Sequence, residues 1–385
     1  MSEQVGRRAW VLLLLAVLSA CGLGQEANAD VLLVAIVAPF SGDYEPLGRS
    51  VRDGVLLAAE ARNQRGGVLG RQVQLVLEDT ACDYTEARTA ARAAIEGGAS
   101  FIIGAVCANA SEGVAQVATE LGALQISPAS VDLDLTLDAD GEVRPLVFRV
   151  PFVDRDQGTV AAQFALDRLD AEKAALLFAG GSDYSVTLAD AFQEAFEAGG
   201  GEVAVRETYD RSAESFFEEL EEVRDTEPDL LYMPGYHNVA NVLVAQARSF
   251  GLLQPIIGSD GWDAPELDRE VVAGGYFTTH FLLDEPRSLL RSWVELYQSR
   301  YLAPPDALAA LSYDAAELLF AAIEDAGVVD PVLVAQALAA LVLEGVTGPM
   351  SFDDAHNPVK PVLVVQVAED RLIYVGRFLP EQPEE

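Results

Sequence analysis

The sequence predicts an α/β protein of two doubly wound, Rossmann-like lobes. Short apolar runs alternate with amphipathic segments from Val31 onward. Single helical segments separate these runs, which means parallel pairing and right-handed crossovers. The pattern then restarts after Val150–Asp154. Ligands on such sheets bind at the carboxyl ends of strands, so two facing lobes make a cleft.

The elements follow in order. Val31–Val37 is a buried apolar strand, followed by Ser41-Gly42 and a helix over Leu47–Asn63. That helix sets Val51, Val55 and Ala58 on one face and stops at Gly66-Gly67. Val73, Leu75 and Leu77 alternate in the next strand. A helix over Thr85–Gly97, a strand over Phe101–Val106, a helix over Ser111–Leu121 and a strand over Leu124–Ser127 complete the first half. The second half reads as strand Ala174–Ala179, helix Tyr184–Ala198 ended by Gly199–Gly201, and strand Glu202–Tyr209. Helix Ala213–Arg224, strand Leu230–Pro234, helix Val239–Phe250 and strand Ile256–Gly258 follow. Three helix-rich segments (Pro286–Tyr301, Leu308–Asp325, Pro331–Leu343) precede two terminal strands, Val362–Val367 and Leu372–Phe378. Pro380–Glu385 is an acidic tail.

Residues 1–21 have the order of an export signal. Arg7 and Arg8 precede an apolar run over Ala9–Val17, too short to span a bilayer as a mature helix. Leu18-Ser19-Ala20-Cys21 then resembles a lipobox, which implies lipidation of Cys21 and a tether over Gly22–Asp30. An ordinary secretory signal with a chance cysteine is the alternative. Lipidation leaves Cys82 and Cys107 as a pair in an oxidising compartment. A disulfide there contributes about 3–4 kcal/mol in the chain-entropy model; a reduced pair is the alternative. None of the three histidines neighbours a cysteine, which argues against zinc and against a Cys-His nucleophile.

Composition narrows the partners. A net charge of −36 repels a phosphate backbone, so nucleic acid is not expected. No second apolar stretch reaches membrane-spanning length, so the lipid is the sole membrane contact expected. Lys173 and Lys360 are the only lysines; a salty habitat and an Arg- and Ala-rich codon bias explain this equally. There is no G-x-S-x-G elbow, P-loop, G-x-G-x-x-G or H-E-x-x-H, so an enzyme is not expected. No cofactor is expected either.

Several segments, in order and spacing, carry a family resemblance. They are Ser41-Gly42, Gly66-Gly67-Val68-Leu69-Gly70-Arg71, Glu78-Asp79-Thr80-Ala81-Cys82-Asp83, Ile126-Ser127-Pro128-Ala129, Pro234-Gly235-Tyr236 and Gly258-Ser259-Asp260-Gly261-Trp262-Asp263. With them the chain resembles the branched-chain amino acid (leucine/isoleucine/valine) binding proteins of ABC importers. The resemblance implies a periplasmic-binding-protein type I fold with a three-crossing hinge, and a disulfide at Cys82 and Cys107. Lobe 1 would be 31–151 plus 282–352, and lobe 2 would be 152–281 plus 353–379. Crossings are expected near Val150–Asp154, Thr278–Leu282 and Phe352–Pro358. The partners implied are a small-molecule ligand and an ABC permease of the inner membrane, with the receptor a monomer. A ligand-sensing lobe for a membrane signalling partner is the alternative.

The resemblance also implies site residues. Turns matching Ala108-Asn109 and Ala129-Ser130-Val131 hold the ligand's α-carboxylate and α-ammonium, near helix starts where free N–H groups attract an anion. Family members carry serine in place of Ala108 and threonine in place of Val131. Each hydrogen bond to a charged group is worth roughly 1.5–3 kcal/mol, so two missing hydroxyls weaken α-carboxylate binding by roughly two to four orders of magnitude. Asp260, followed by Gly261, aligns with the acid that pairs the ligand's ammonium. At sequence level Asp260 reads as an exposed turn carboxylate. Tyr184 and Tyr236 match aromatic covers from the second lobe. Leu47 and Leu308 stand at side-chain-pocket positions and serve equally well as helix core. An acid without the hydroxyls points to an amine- or amide-bearing ligand.

Overall fold

The computed structural model describes residues 31–380; Cys21, the tether and residues 381–385 lie outside the described residues. The first sheet is all parallel, built from β1 (Val31–Ala38), β2 (Gln72–Asp79), β3 (Phe101–Gly104), β4 (Leu124–Ser127) and β5 (Val147–Arg149). Its order is β2-β1-β3-β4-β5. The connecting helices are α1 (Glu45–Gln64), α2 (Tyr84–Glu96) and α3 (Ala108–Leu121). Helices cover both faces of the sheet, which is why β1 and β3 read as continuous apolar runs. β5 escapes the sequence reading because Val-Phe-Arg is too short to show a period and ends on an arginine.

The second half repeats the plan. Its elements are α4 (Asp154–Leu169), β6 (Lys173–Ala179), α5 (Asp183–Ala198), β7 (Glu202–Tyr209), α6 (Phe217–Asp225), β8 (Leu230–Tyr232), α7 (His237–Ser249), β9 (Ile256–Gly258) and β10 (Tyr276–Thr279). Then come α8 (Ser288–Tyr301), α9 (Ala307–Ala326) and α10 (Pro331–Ala340), and a small antiparallel sheet of β11 (Leu343–Gly345), β12 (Gly348–Phe352) and β13 (Pro358–Val359). β14 (Val362–Val367) and β15 (Leu372–Phe378) return to the second sheet, whose order is β15-β14-β10-β9-β8-β6-β7. α3 and α7 begin earlier than expected and α6 later. α6 has no side-chain cap, and Asp210 instead accepts from Ser212 in the preceding turn.

Two glycines set the helix packing. A Cβ on Gly54 of α1 would meet the Ala309 carbonyl of α9 at 2.2 Å, and one on Gly158 of α4 would meet the Leu188 carbonyl of α5 at 2.6 Å. α9 and α10 thereby complete the core under the first sheet, with Leu311, Leu319, Phe320 and Leu338 buried against Ile36 and Phe148. Leu308 is half-buried at the edge of that core, while Leu47 is exposed on α1. Cys82 and Cys107 are joined in a disulfide with Cα atoms 5.5 Å apart.

The chain passes between the two sheets three times, after β5, after β10 and after β13. The third passage lies later than expected. Phe352 pairs with Pro358 in a hairpin, so residues 353–359 stay with the small sheet and the passage begins at Lys360. A buried ionic network ties these passages together. Glu285, fully buried after β10, accepts from Arg377 of β15 at 2.8 and 2.9 Å and from Arg287 at 2.5 Å. Arg377 also donates to the Thr347 carbonyl at 2.7 Å, and Arg287 to the Gly345 and Val346 carbonyls. Burial pushes the Glu285 carboxyl up, but the two guanidinium groups outweigh it and hold it below its ordinary value. Lys360 donates to Thr347 Oγ1 at 2.5 Å and to the Val150 carbonyl of the first passage at 3.4 Å. Burial brings its ammonium down to about 7, despite Asp314 nearby.

Candidate functional site

The second lobe collects a polar cluster at the carboxyl ends of its strands. Asp260 opens a 3-10 turn directly after β9, and Trp262 of that turn is core, only 1% exposed. Asp260 is no exposed turn carboxylate: its side chain is 22% exposed. Oδ1 accepts from the Tyr184 hydroxyl and, at 3.1 Å, from Gln157 Nε2. Oδ2 faces His280 Nε2 at 3.6 Å. Gln157 Oε1 accepts from the Asp260 N–H at 2.8 Å and the Thr278 hydroxyl at 2.6 Å, which locks the amide orientation. The Tyr184 hydroxyl also accepts from the Gly261 N–H at 3.1 Å and lies 2.9 Å from Ser259 Oγ. Tyr236 stacks obliquely on Tyr184, with ring centroids 5.2 Å apart, and remains exposed.

Charge balance in this cluster is delicate. Burial raises the Asp260 carboxyl, but His280, Tyr184 and Gln157 more than offset it, and the group stays ionised. Burial lowers His280, against the pull of Asp260, and its ring stacks on Phe152 at 3.7 Å. Asp154, at the start of α4, is 7% exposed and its Oδ1 has no hydrogen-bond partner. Burial first, and Asp260 second, push its carboxyl up to about 8.

The first lobe contributes two turns. Ala108 and Asn109 open α3, which has no side-chain cap, and both are exposed. Asn109 spends its amide locally, donating to the Cys82 carbonyl at 3.1 Å and accepting from the Ala110 N–H at 2.9 Å. Ala129, Ser130 and Val131 follow β4, held by Ser127 Oγ, which accepts from the Ser130 N–H at 3.1 Å. Ser130 Oγ is buried without a hydrogen-bond partner.

A family model described as periplasmic binding protein matches residues 32–371. The chain belongs to the periplasmic binding protein family. This binding protein is 27% identical to the leucine-, isoleucine-, valine-, threonine- and alanine-binding protein of Pseudomonas aeruginosa, over 85% of this chain and 87% of that one. A solved leucine-binding protein from Thermotoga maritima superposes with a TM-score of 0.74 at 32% identity, covering 91% of this chain and 99% of that one. A branched-chain amino acid transporter substrate-binding protein of Streptococcus pneumoniae, solved with isoleucine, gives 0.75 at 27% identity, covering 91% and 100%. The family is one of extracytoplasmic solute-binding proteins, not of enzymes. Among the described residues no helix of this binding protein is long and apolar enough to cross a membrane.

Of the residues singled out in the sequence, Tyr184, Tyr236, Asp260 and Gly261 form one connected cluster. Ala108, Asn109, Ala129, Ser130 and Val131 sit together at the ends of β3 and β4. Leu47 is exposed near the start of α1. Sequence reasoning missed Asp154, Gln157, His280 and Arg149. A signal existed for His280, since one of three histidines falls directly after a strand at an expected passage between lobes. Arg149 gave none; it is fully buried beside the Ser130 carbonyl, and burial brings it down to about 10.

Asp154 makes a pH prediction. Its folded value near 8 lies above the ordinary 3.8, so the folded state keeps a proton that the unfolded chain has lost. Stability therefore falls as pH rises through that window, by up to about 1.4 kcal/mol per unit. Asp156 and Asp263, each raised to about 6 by burial, act in the same sense. Lys360 acts oppositely above about 7. Melting curves from pH 4 to 7 should show a flatter decline for Asp154→Asn than for the parent. Parallel curves would exclude Asp154 as a source of the slope.

Proposed function

We propose that this protein is a lipid-anchored receptor that closes its two lobes on a small amine-bearing solute and hands it to an ABC permease. The observation that carries the reading is the ionised, pre-oriented Asp260 at a strand end, covered by Tyr184 and Tyr236. Such a carboxylate is shaped for a charge-assisted bond to a cationic group. The lobes, 31–151 with 282–359 and 152–281 with 360–379, move as bodies about the three passages. Relatives named for leucine, isoleucine and valine support the solute class. The first lobe here has Ala108 and Val131 in place of hydroxyls, so the ligand does not present an α-carboxylate there in the usual way.

Restoring those hydroxyls tests this. Ala108→Ser with Val131→Thr should raise affinity for leucine roughly a hundredfold or more in calorimetric titration; unchanged affinity would remove the missing hydroxyls as the reason for altered specificity. The anchor has its own test. Cys21→Ser should release the protein from membranes or leave its precursor uncleaved, and unaltered fractionation would dismiss lipidation.

A further inference from the structure

A cavity of about 90 Å³ lies beneath Tyr236 in the second lobe. Ala179, Tyr209 and Gly235, at the carboxyl ends of β6, β7 and β8, form its wall. Strand order reverses between β6 and β8, and that is where open α/β sheets take their ligands. Ser185 Oγ lines the cavity, fully buried and without a hydrogen-bond partner. Buried hydroxyls are rarely left so. Arg211 stands in the wall with its guanidinium 5.7 Å from the centre of the Tyr236 ring, and it makes no ion pair among the described residues. The neighbouring Asp210 forms no ion pair with it and turns its Oδ1 to Ser212 instead, accepting from the N–H at 2.8 Å and the hydroxyl at 2.5 Å. The amino ends of α5 and α7 both border the cavity, through Ser182 and Asn238. α7 begins at His237, and its N-cap residue Tyr236 makes no side-chain cap, so the positive end of the helix has no side-chain acceptor from its cap.

We propose that this cavity is an anion subsite, which takes a carboxylate of the cleft ligand on Arg211, Ser185 and the amino end of α7. The inference rests on the reading of Asp260 as the cationic-end anchor. It turns the ligand's carboxylate toward the second lobe, away from the turns where Ala108 and Val131 lack hydroxyls. The ligand class is then an amino acid with its carboxylate set apart from its ammonium.

Titration calorimetry with 5-aminopentanoate and 6-aminohexanoate, each against its primary amide, tests the subsite. The acids should bind at least about tenfold tighter than their amides. Arg211→Gln and Ser185→Ala should each bring the acid down toward the amide and leave the amide unchanged. Acids that bind no tighter than amides, or a preference that survives both substitutions, would overturn the subsite. Asp260→Asn should weaken acid and amide equally. If it abolishes the preference, discrimination lies at Asp260 and the subsite is wrong. If it changes neither ligand while the preference holds, the subsite stands and the amine anchor fails.

Discussion

Replacing Glu285 by glutamine should destabilise the protein by about 3–5 kcal/mol, the range expected when one partner of a buried ion pair is removed. Glu285 is fully buried and is the shared counter-charge of Arg377 and Arg287. Without its carboxylate both guanidinium groups keep their positions on the Thr347, Gly345 and Val346 carbonyls, but Arg377 loses its counter-charge and Arg287 keeps only the exposed Glu344. Lys360 lies in the same field and would be pushed lower still. An exposed pair such as Arg49–Glu45 makes the control, since solvent screens it and its removal costs little. Denaturant midpoints of the two variants measure the contrast. A Glu285→Gln loss no larger than that of the surface control would mean that the three passages are not held by this network.

Neutralising Asp260 has the largest expected loss of binding. Asp260→Asn keeps an oxygen for Tyr184 and Gln157 but removes the charge, so affinity for an amine-bearing ligand should fall by roughly tenfold to a hundredfold or more, equivalent to about 1.5–3 kcal/mol. The same change withdraws one of the three influences that raise Asp154, the others being burial and Asp132. The stability slope with pH should therefore become shallower between pH 4 and 7, in the same direction as for Asp154→Asn. That second readout separates lost charge from lost shape. A variant that loses affinity with an unchanged slope would mean that Asp154 and Asp260 do not share a field.

The fold was legible because parallel strands buried on both faces leave apolar runs, and each helix between them leaves a 3.6-residue stripe. Val31–Ala38 and Phe101–Gly104 are of this kind. Val147–Arg149 is not, because its pairing with β4 comes from tertiary context. The disulfide was readable from cysteine arithmetic, and the lobe turns from motif order. The polar interior was harder to see. Gln157 touches Asp260 from 103 residues away, and His280 meets Phe152 across two passages. Nothing in local sequence encodes such meetings. Burial was the other blind spot: Asp260 sits in a Gly-rich turn that reads as solvated, yet Tyr184, Gln157 and His280 close around it.

Native mass spectrometry of protein purified without denaturation tests the central claim, a solute held one-to-one at Asp260. The expected result is a single adduct of small mass on the parent, released by denaturation and absent from or much reduced in Asp260→Asn. An adduct retained undiminished by Asp260→Asn would place the ligand elsewhere and contradict the account.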